Sequence, residues 1–265
     1  MTTPPEIVLE LTDICLSFGG LKAIKNVSLT VGKRELVGLI GPNGAGKTTL
    51  FNMTTGVYCP DQGTIALSGQ TISGLPPHEI NRRGIARTFQ NIRLWGNMTV
   101  LDNVRAALHK TARAGLWQII AASHHHARDE DRLREYAREQ LAYFDLIRFE
   151  NDLAKNLPYG EQRRLEIARA LATNPTVLML DEPVAGMNTG EKVHLMELIK
   201  RLQADRRLSI LLIEHDMKVV MGICERVAVL DYGEKIAEGP PEAIQKDPRV
   251  IEAYLGAPQT TAATN

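Results

Sequence analysis

Nine consecutive residues, Gly41-Pro42-Asn43-Gly44-Ala45-Gly46-Lys47-Thr48-Thr49, have the types and spacing of a phosphate cradle, GxxxxGK[ST]. The glycines let the main chain wrap close to phosphate oxygens, and a helix beginning at the end of the run adds unpaired N–H groups and a partial positive charge. In that arrangement Lys47 reaches the β and γ phosphates of a nucleotide and the Thr48 hydroxyl ligates Mg²⁺. A turn that needed glycine only for its shape would require neither the lysine nor the threonine. A second constellation, Leu178-Met179-Leu180-Asp181-Glu182-Pro183, is an apolar run that ends in two adjacent carboxylates. A carboxylate at the C-terminal end of a strand can hold the Mg²⁺ hydration shell, which suits Asp181. The neighbouring acid, Glu182, can then polarise an attacking water. The alternative is a pair of acids capping the next helix, which becomes improbable once a phosphate loop precedes it.

The elements that must position these residues are legible around them. Leu36–Ile40 is a short apolar run feeding the glycine-rich turn, and residues 48–55 suit the helix after it. Residues 177–180 and 210–213 are unbroken apolar runs, the pattern of parallel strands buried on both faces. Residues 160–173 and 190–204 read as helices between them, the first ended by Asn174-Pro175. Residues 6–31 alternate apolar and polar positions about Gly19-Gly20, which predicts antiparallel strands. Pro77 and Gly84 bracket a short helix, and residues 84–89 read as a strand leading to Gln90. Within residues 101–149, Leu133, Tyr136, Ala137, Leu141 and Phe144 recur at helical spacing, which predicts a helical subdomain inserted into an α/β core.

Composition bounds the function. With 265 residues, 44% of them hydrophobic, the chain can bury a sizeable core. Lys+Arg and Asp+Glu are both 31, so no global polycation is present to neutralise a phosphate backbone, and nucleic acid is not the expected partner. Cys15, Cys59 and Cys224 form no CxxC pair and no disulfide framework, which fits a reducing cytosol. The first residues, MTTPPEIVLELTD, lack the basic and apolar regions of a signal peptide. Runs such as SILLI are far shorter than the roughly 18 to 20 apolar residues of a spanning helix, so membrane contact is expected only through a protein partner. The tail PQTTAATN reads as frayed. His124-His125-His126 invites a metal reading, but adjacent helical histidines point apart, and a solvated run is the expectation.

Residues 156–171, NLPYGEQRRLEIARAL, lie just ahead of Asp181 and resemble the LSGGQ signature helix of ABC cassettes. The resemblance runs from Leu9 to about Gly256 and implies an α/β P-loop NTPase cassette. That fold has a mixed-sheet core, an N-terminal antiparallel β subdomain and an inserted helical subdomain. The expected organisation is one ABC ATPase domain over 6–256, a helical insertion at about 91–172 and a flexible tail at 257–265. By the same resemblance Gln90 is the Q-loop glutamine that touches Mg²⁺, and His215, after the strand SILLIE, is the switch histidine that contacts the γ-phosphate. Phe18 stacks on adenine, and Asn188 stands in the D-loop where aspartate is usual. The signature, Pro158-Tyr159-Gly160-Glu161, acts on the nucleotide of a partner cassette. It departs from the family pattern at Pro158, Tyr159 and Glu161. Proline offers neither a hydroxyl nor an N–H, which leaves Gly160 and the helix N-terminus to bind an anion.

Residues 82–94, RRGIARTFQNIRL, together with LDYGEKIAEG and EAYLGA, are similar to the larger ATPase subunit of branched-chain amino-acid importers. The resemblance implies ATP and Mg²⁺ as cofactors. It implies a second ATPase subunit, the same chain or more commonly a different one, two membrane-spanning permease subunits and a solute-binding protein. It places the chain at the cytoplasmic face of the membrane, peripheral through the permeases. Urea and lipopolysaccharide transport ATPases share much of the pattern. Soluble ABC proteins of translation or repair carry a second cassette or long coiled coils, neither of which occurs here, and a P-loop kinase leaves the signature and His215 unexplained.

Overall fold

The computed structural model describes residues 6–108 and 124–255. The alternating N-terminal segment forms two long antiparallel strands, β1 (Ile7–Phe18) and β2 (Leu21–Gly32), joined at Gly19, whose φ is +57°. On β1 the buried positions include Leu9, Leu11, Ile14 and Leu16, so the strand presents one apolar face and one wet face. Strand β4 (Gln62–Leu67) pairs with the other edge of β1, and β5 (Gln70–Thr71) completes a sheet ordered β2-β1-β4-β5. The β4–β5 turn is Ser68-Gly69, with φ +47° and +76°. Two consecutive positive φ values match the twist of a tight hairpin.

The second sheet is mixed and ordered β10-β9-β3-β8-β7-β6. Its centre is three parallel strands, β3 (Leu36–Ile40), β8 (Ser209–Ile213) and β7 (Val177–Asp181), five residues each and buried throughout. Such strands need no polar alternation because both faces are covered. Their side chains divide by parity: Val37, Leu39, Leu211 and Ile213 pack toward β1, β2 and helix α1 (Lys47–Thr54). Leu36, Ile40, Ile210 and Leu212 pack toward the helices on the opposite face. Those helices include α6 (Thr189–Arg206) and α7 (Met217–Ile223). Strand β9 (Arg226–Asp231) runs parallel to β3, and β10 (Glu234–Gly239) turns back on it. Helices α8 (Pro241–Ile244) and α9 (Pro248–Leu255) close the described chain.

Helix α2 (Pro77–Arg83) has proline at its first turn and ends at Gly84, φ +116°, as its flanking residues predict. The strand expected over 84–89 is shorter. Strand β6 covers Ile85–Arg87, and Thr88 N–H still donates to Met179 O at 3.0 Å. Beyond it the chain leaves the sheet, because Glu166 accepts from the N–H groups of Phe89 (3.5 Å) and Arg93 (3.2 Å).

The predicted helical region contains α3 (Val100–Leu108), α4 (His124–Tyr143) and α5 (Tyr159–Leu171). Ala137, Leu141 and Phe144 are buried against Val100, Val104 and Leu165, with Leu133 and Tyr136 partly buried beside them, so the helical spacing reads the packed face correctly. The side chains of the histidine run and the tail lie outside the described residues. Among those residues no helix is long and apolar enough to cross a membrane.

Candidate nucleotide site

Strand β3 delivers the chain to the phosphate loop with Gly41 at φ +149°, where a Cβ would lie 2.0 Å from Leu230 O, so only glycine fits. The Gly41 N–H donates to the Tyr254 hydroxyl of α9 at 2.8 Å. Gly233 N–H donates to Ala45 O at 3.0 Å, so the β9–β10 turn props the loop from below. Gly46, φ +103°, then launches α1. Lys47 is 7% exposed, and its Nζ donates to Gly41 O at 2.6 Å and Pro42 O at 2.8 Å. Burial lowers its pKa, while the carboxylates of Glu182 and Asp181 oppose the shift. The lysine is thus parked on the carbonyls of its own loop, next to where phosphates would sit.

The loop opens onto a cavity of about 580 Å³ lined by residues 43–49 together with Phe18, Gln90, Glu182 and Tyr232. Phe18 is 44% exposed, and its ring meets Tyr58 edge-on at 5.2 Å, which leaves it a wall of the cavity and not part of the core. Three sequence-predicted residues converge at the far side. Gln90 Nε2 donates to Glu182 Oε2 at 2.8 Å, and His215 Nδ1 lies 3.7 Å from the same oxygen. Glu182 itself has φ +46°, a left-handed conformation that a non-glycine residue holds only when its surroundings enforce it. Its N–H donates to Ile213 O at 2.9 Å, which supplies that enforcement from β8.

Asp181, one residue earlier, is 3% exposed and pairs with Arg87 at 2.8 Å. Burial pushes its carboxyl pKa up, and the Arg87 guanidinium pulls it back toward the charged form. The signature residues stand elsewhere. Pro158 is the N-cap of α5, Tyr159 is 42% exposed, and Glu161 is held by Arg164 at 2.7 Å. Asn188 caps α6 in a reciprocal capping box with Glu191. Neither group lines the cavity around Lys47.

A family model described as "ABC transporter" matches residues 24–185. The chain belongs to the ABC transporter family. A second model, described as "Branched-chain amino acid ATP-binding cassette transporter", matches residues 234–259. The cassette is 45% identical to the high-affinity branched-chain amino acid transport ATP-binding protein BraF of Pseudomonas aeruginosa and 47% identical to LivG of Escherichia coli K12. Each alignment covers 94% of this chain and 98% of the relative. The lipopolysaccharide export system ATP-binding protein LptB of E. coli is 36% identical over 94% of the chain and 97% of its own. Among solved structures, a nucleotide-free ATP-binding cassette from an ABC transporter superposes with TM-score 0.83 at 31% identity, covering 95% of this chain and 100% of that one. ABC cassettes bind and hydrolyse ATP, and this chain is an ATPase of that family.

Several residues of the cassette's site are not singled out by motif. Arg163 and Glu166 on α5 are 0% and 1% exposed and pair at 2.8 Å. Arg163 also donates to Phe89 O and Gln90 O, both at 2.7 Å, so the signature helix grips the main chain of the Q-loop. Glu214, fully buried beside His215, accepts from Val184 N–H at 3.1 Å, and burial pushes its pKa up. The only advance signal for these residues is a charged side chain among apolar neighbours, as in RRLEIARAL and LLIEH.

Proposed function

We propose that this cassette energises import of branched-chain amino acids, with Glu182 as the general base for ATP hydrolysis in the cavity headed by Lys47. The observation that carries the reading is the meeting of Gln90 and His215 on one oxygen of Glu182 at the mouth of the phosphate loop. A carboxylate so placed accepts a proton from water at Oε2, Gln90 holds it in position, and His215 stands beside it toward the γ-phosphate. Lys47, released from the Gly41 and Pro42 carbonyls, pairs with the β and γ phosphates. The N–H groups of residues 43–49 cradle them, and Phe18 flanks the adenine.

The Thr48 hydroxyl, the Gln90 amide oxygen and the Asp181 carboxylate are hard oxygen donors, a set that fits Mg²⁺. When bound, Mg²⁺ supplies charge neutralisation across the β and γ phosphates. The position of Pro158–Glu161 and Asn188 away from this cavity supports a sandwich in which they act on a second cassette's nucleotide. Identity of 45–47% to BraF and LivG, against 36% to LptB, supports the amino-acid branch. Partners are then a second ATPase subunit, two permease subunits and a solute-binding protein at the cytoplasmic face of the membrane. Glu182→Gln should keep ATP binding while slowing hydrolysis by about 10²–10⁴-fold. Binding and turnover falling together would make Glu182 a scaffold residue. Leucine uptake by the reconstituted complex, compared with urea and lipopolysaccharide, tests the substrate class.

A further inference from the structure

The Arg87 guanidinium is buried at the junction of three elements, with 7% of its side chain exposed. It lies on β6 and donates to Asp181 Oδ2 at the end of β7 at 2.8 Å. It also donates to Asn52 Oδ1 at 2.6 Å and Thr55 Oγ1 at 3.2 Å, at the C-terminal turn of α1. Its plane is flanked by the rings of Phe89, 4.8 Å away, and Phe51, 5.6 Å away. Helix α1 carries Lys47 and Thr48 at its other end. The guanidinium therefore ties the carboxylate that ends β7 to the helix bearing the other ligand hydroxyl, and its fork geometry lets one cation serve both.

We propose that Arg87 is a positioning residue for the metal-holding carboxylate. By engaging Oδ2 it fixes the Asp181 carboxylate plane and leaves Oδ1 for the hydration shell of Mg²⁺, while Asn52 and Thr55 set the distance between Asp181 and the phosphate-loop helix. Arg87 stands three residues before Gln90, so the strand end that pairs with Asp181 leads directly into the Q-loop.

This inference rests on the reading that Asp181 serves Mg²⁺, and one titration separates the two. Binding of a non-hydrolysable ATP analogue to the full-length chain is measured with Mg²⁺ and with EDTA, and the affinity ratio is compared between wild type and Arg87→Met. The wild-type ratio should favour Mg²⁺. In the variant the ratio should fall about tenfold or more, the effect of losing one charge-assisted hydrogen bond on the ligand side chain. Affinity in EDTA should stay unchanged. A merely structural loss would lower both affinities and keep the ratio. Because an unpaired buried carboxylate can prevent folding, Asn52→Ala and Thr55→Val are measured in parallel. They keep the cation and remove its anchors, and each should lower the ratio by a smaller factor. A wild-type preference for Mg²⁺ that survives intact in the variants overturns the role of Arg87 alone. A preference that rises makes Arg87 a competitor of the metal and overturns it as well. No preference in wild type overturns the metal reading and with it this one.

Discussion

Lys47 is the residue whose surroundings say most about how the phosphate loop is set. Its ammonium is satisfied by two main-chain carbonyls, and the charges of Glu182 and Asp181 favour its protonated form against burial, so it is preorganised for phosphate without being free. Lys47→Ala should abolish turnover and weaken nucleotide binding at least tenfold, read by calorimetry and phosphate release. Near-normal turnover would remove the loop from the chemistry. Cys224 offers a test of burial. Desolvation pushes its thiol from the usual 9.0 up to about 12, because it packs inside against Gly38. The folded value lies above the unfolded one, so the stability it contributes is whole below pH 9 and is lost as pH climbs toward 12. Between those limits wild type should lose up to about 1.4 kcal/mol per pH unit more than Cys224→Ala, measured by urea unfolding at stepped pH. Parallel alkaline slopes would mean that the thiol is reached by water.

At the scale of elements, the C-terminal helix is tied to the phosphate loop by the bond from Gly41 N–H to Tyr254 Oη. Tyr254→Phe keeps the ring and removes the acceptor. Exchange of the Gly41 amide should quicken and nucleotide affinity should fall about three- to tenfold, the net worth of one neutral hydrogen bond. An unchanged Gly41 exchange rate would break the link. Sequence could place the phosphate loop, the three buried parallel strands and the packed face of α4, because each has a period or an apolar run tied to its environment. It could also order Gln90, Asp181, Glu182 and His215 along the chain. It did not reveal that Tyr254 reaches Gly41 or that Arg87 reaches Asp181, since contacts between residues 213 and 94 positions apart leave no local pattern. The β4–β5 hairpin, by contrast, has a local signature in Ser68-Gly69, and β9 has one in the apolar run 227–230. The strand predicted to run to Phe89 stops early because two buried charges on α5, distant in sequence, capture its main chain.

For the whole molecule, we expect a permease to meet the groove between α3, α5 and the residues that follow Gln90. It has a volume of about 430 Å³ and includes Trp95, Ala107 and Arg169 in its walls. Trp95 is 48% exposed with the Arg169 guanidinium 4.8 Å from its ring, while its main chain is fixed by the buried Asn103 amide. The side chain can therefore be removed without releasing the loop. Trp95→Ala should reduce recovery of the assembled transporter in detergent several-fold and leave ATP affinity unchanged. Lost ATP affinity with assembly intact would assign the groove to the nucleotide site. The buried Arg163–Glu166 clamp on α5 has a further consequence, for descent. Replacing either charge alone strands its partner away from water, at about 3–5 kcal/mol, a large share of a domain's stability. Lineages that drift at these two positions must cross that valley by changing both in close succession, so the clamp should be inherited or discarded as a unit.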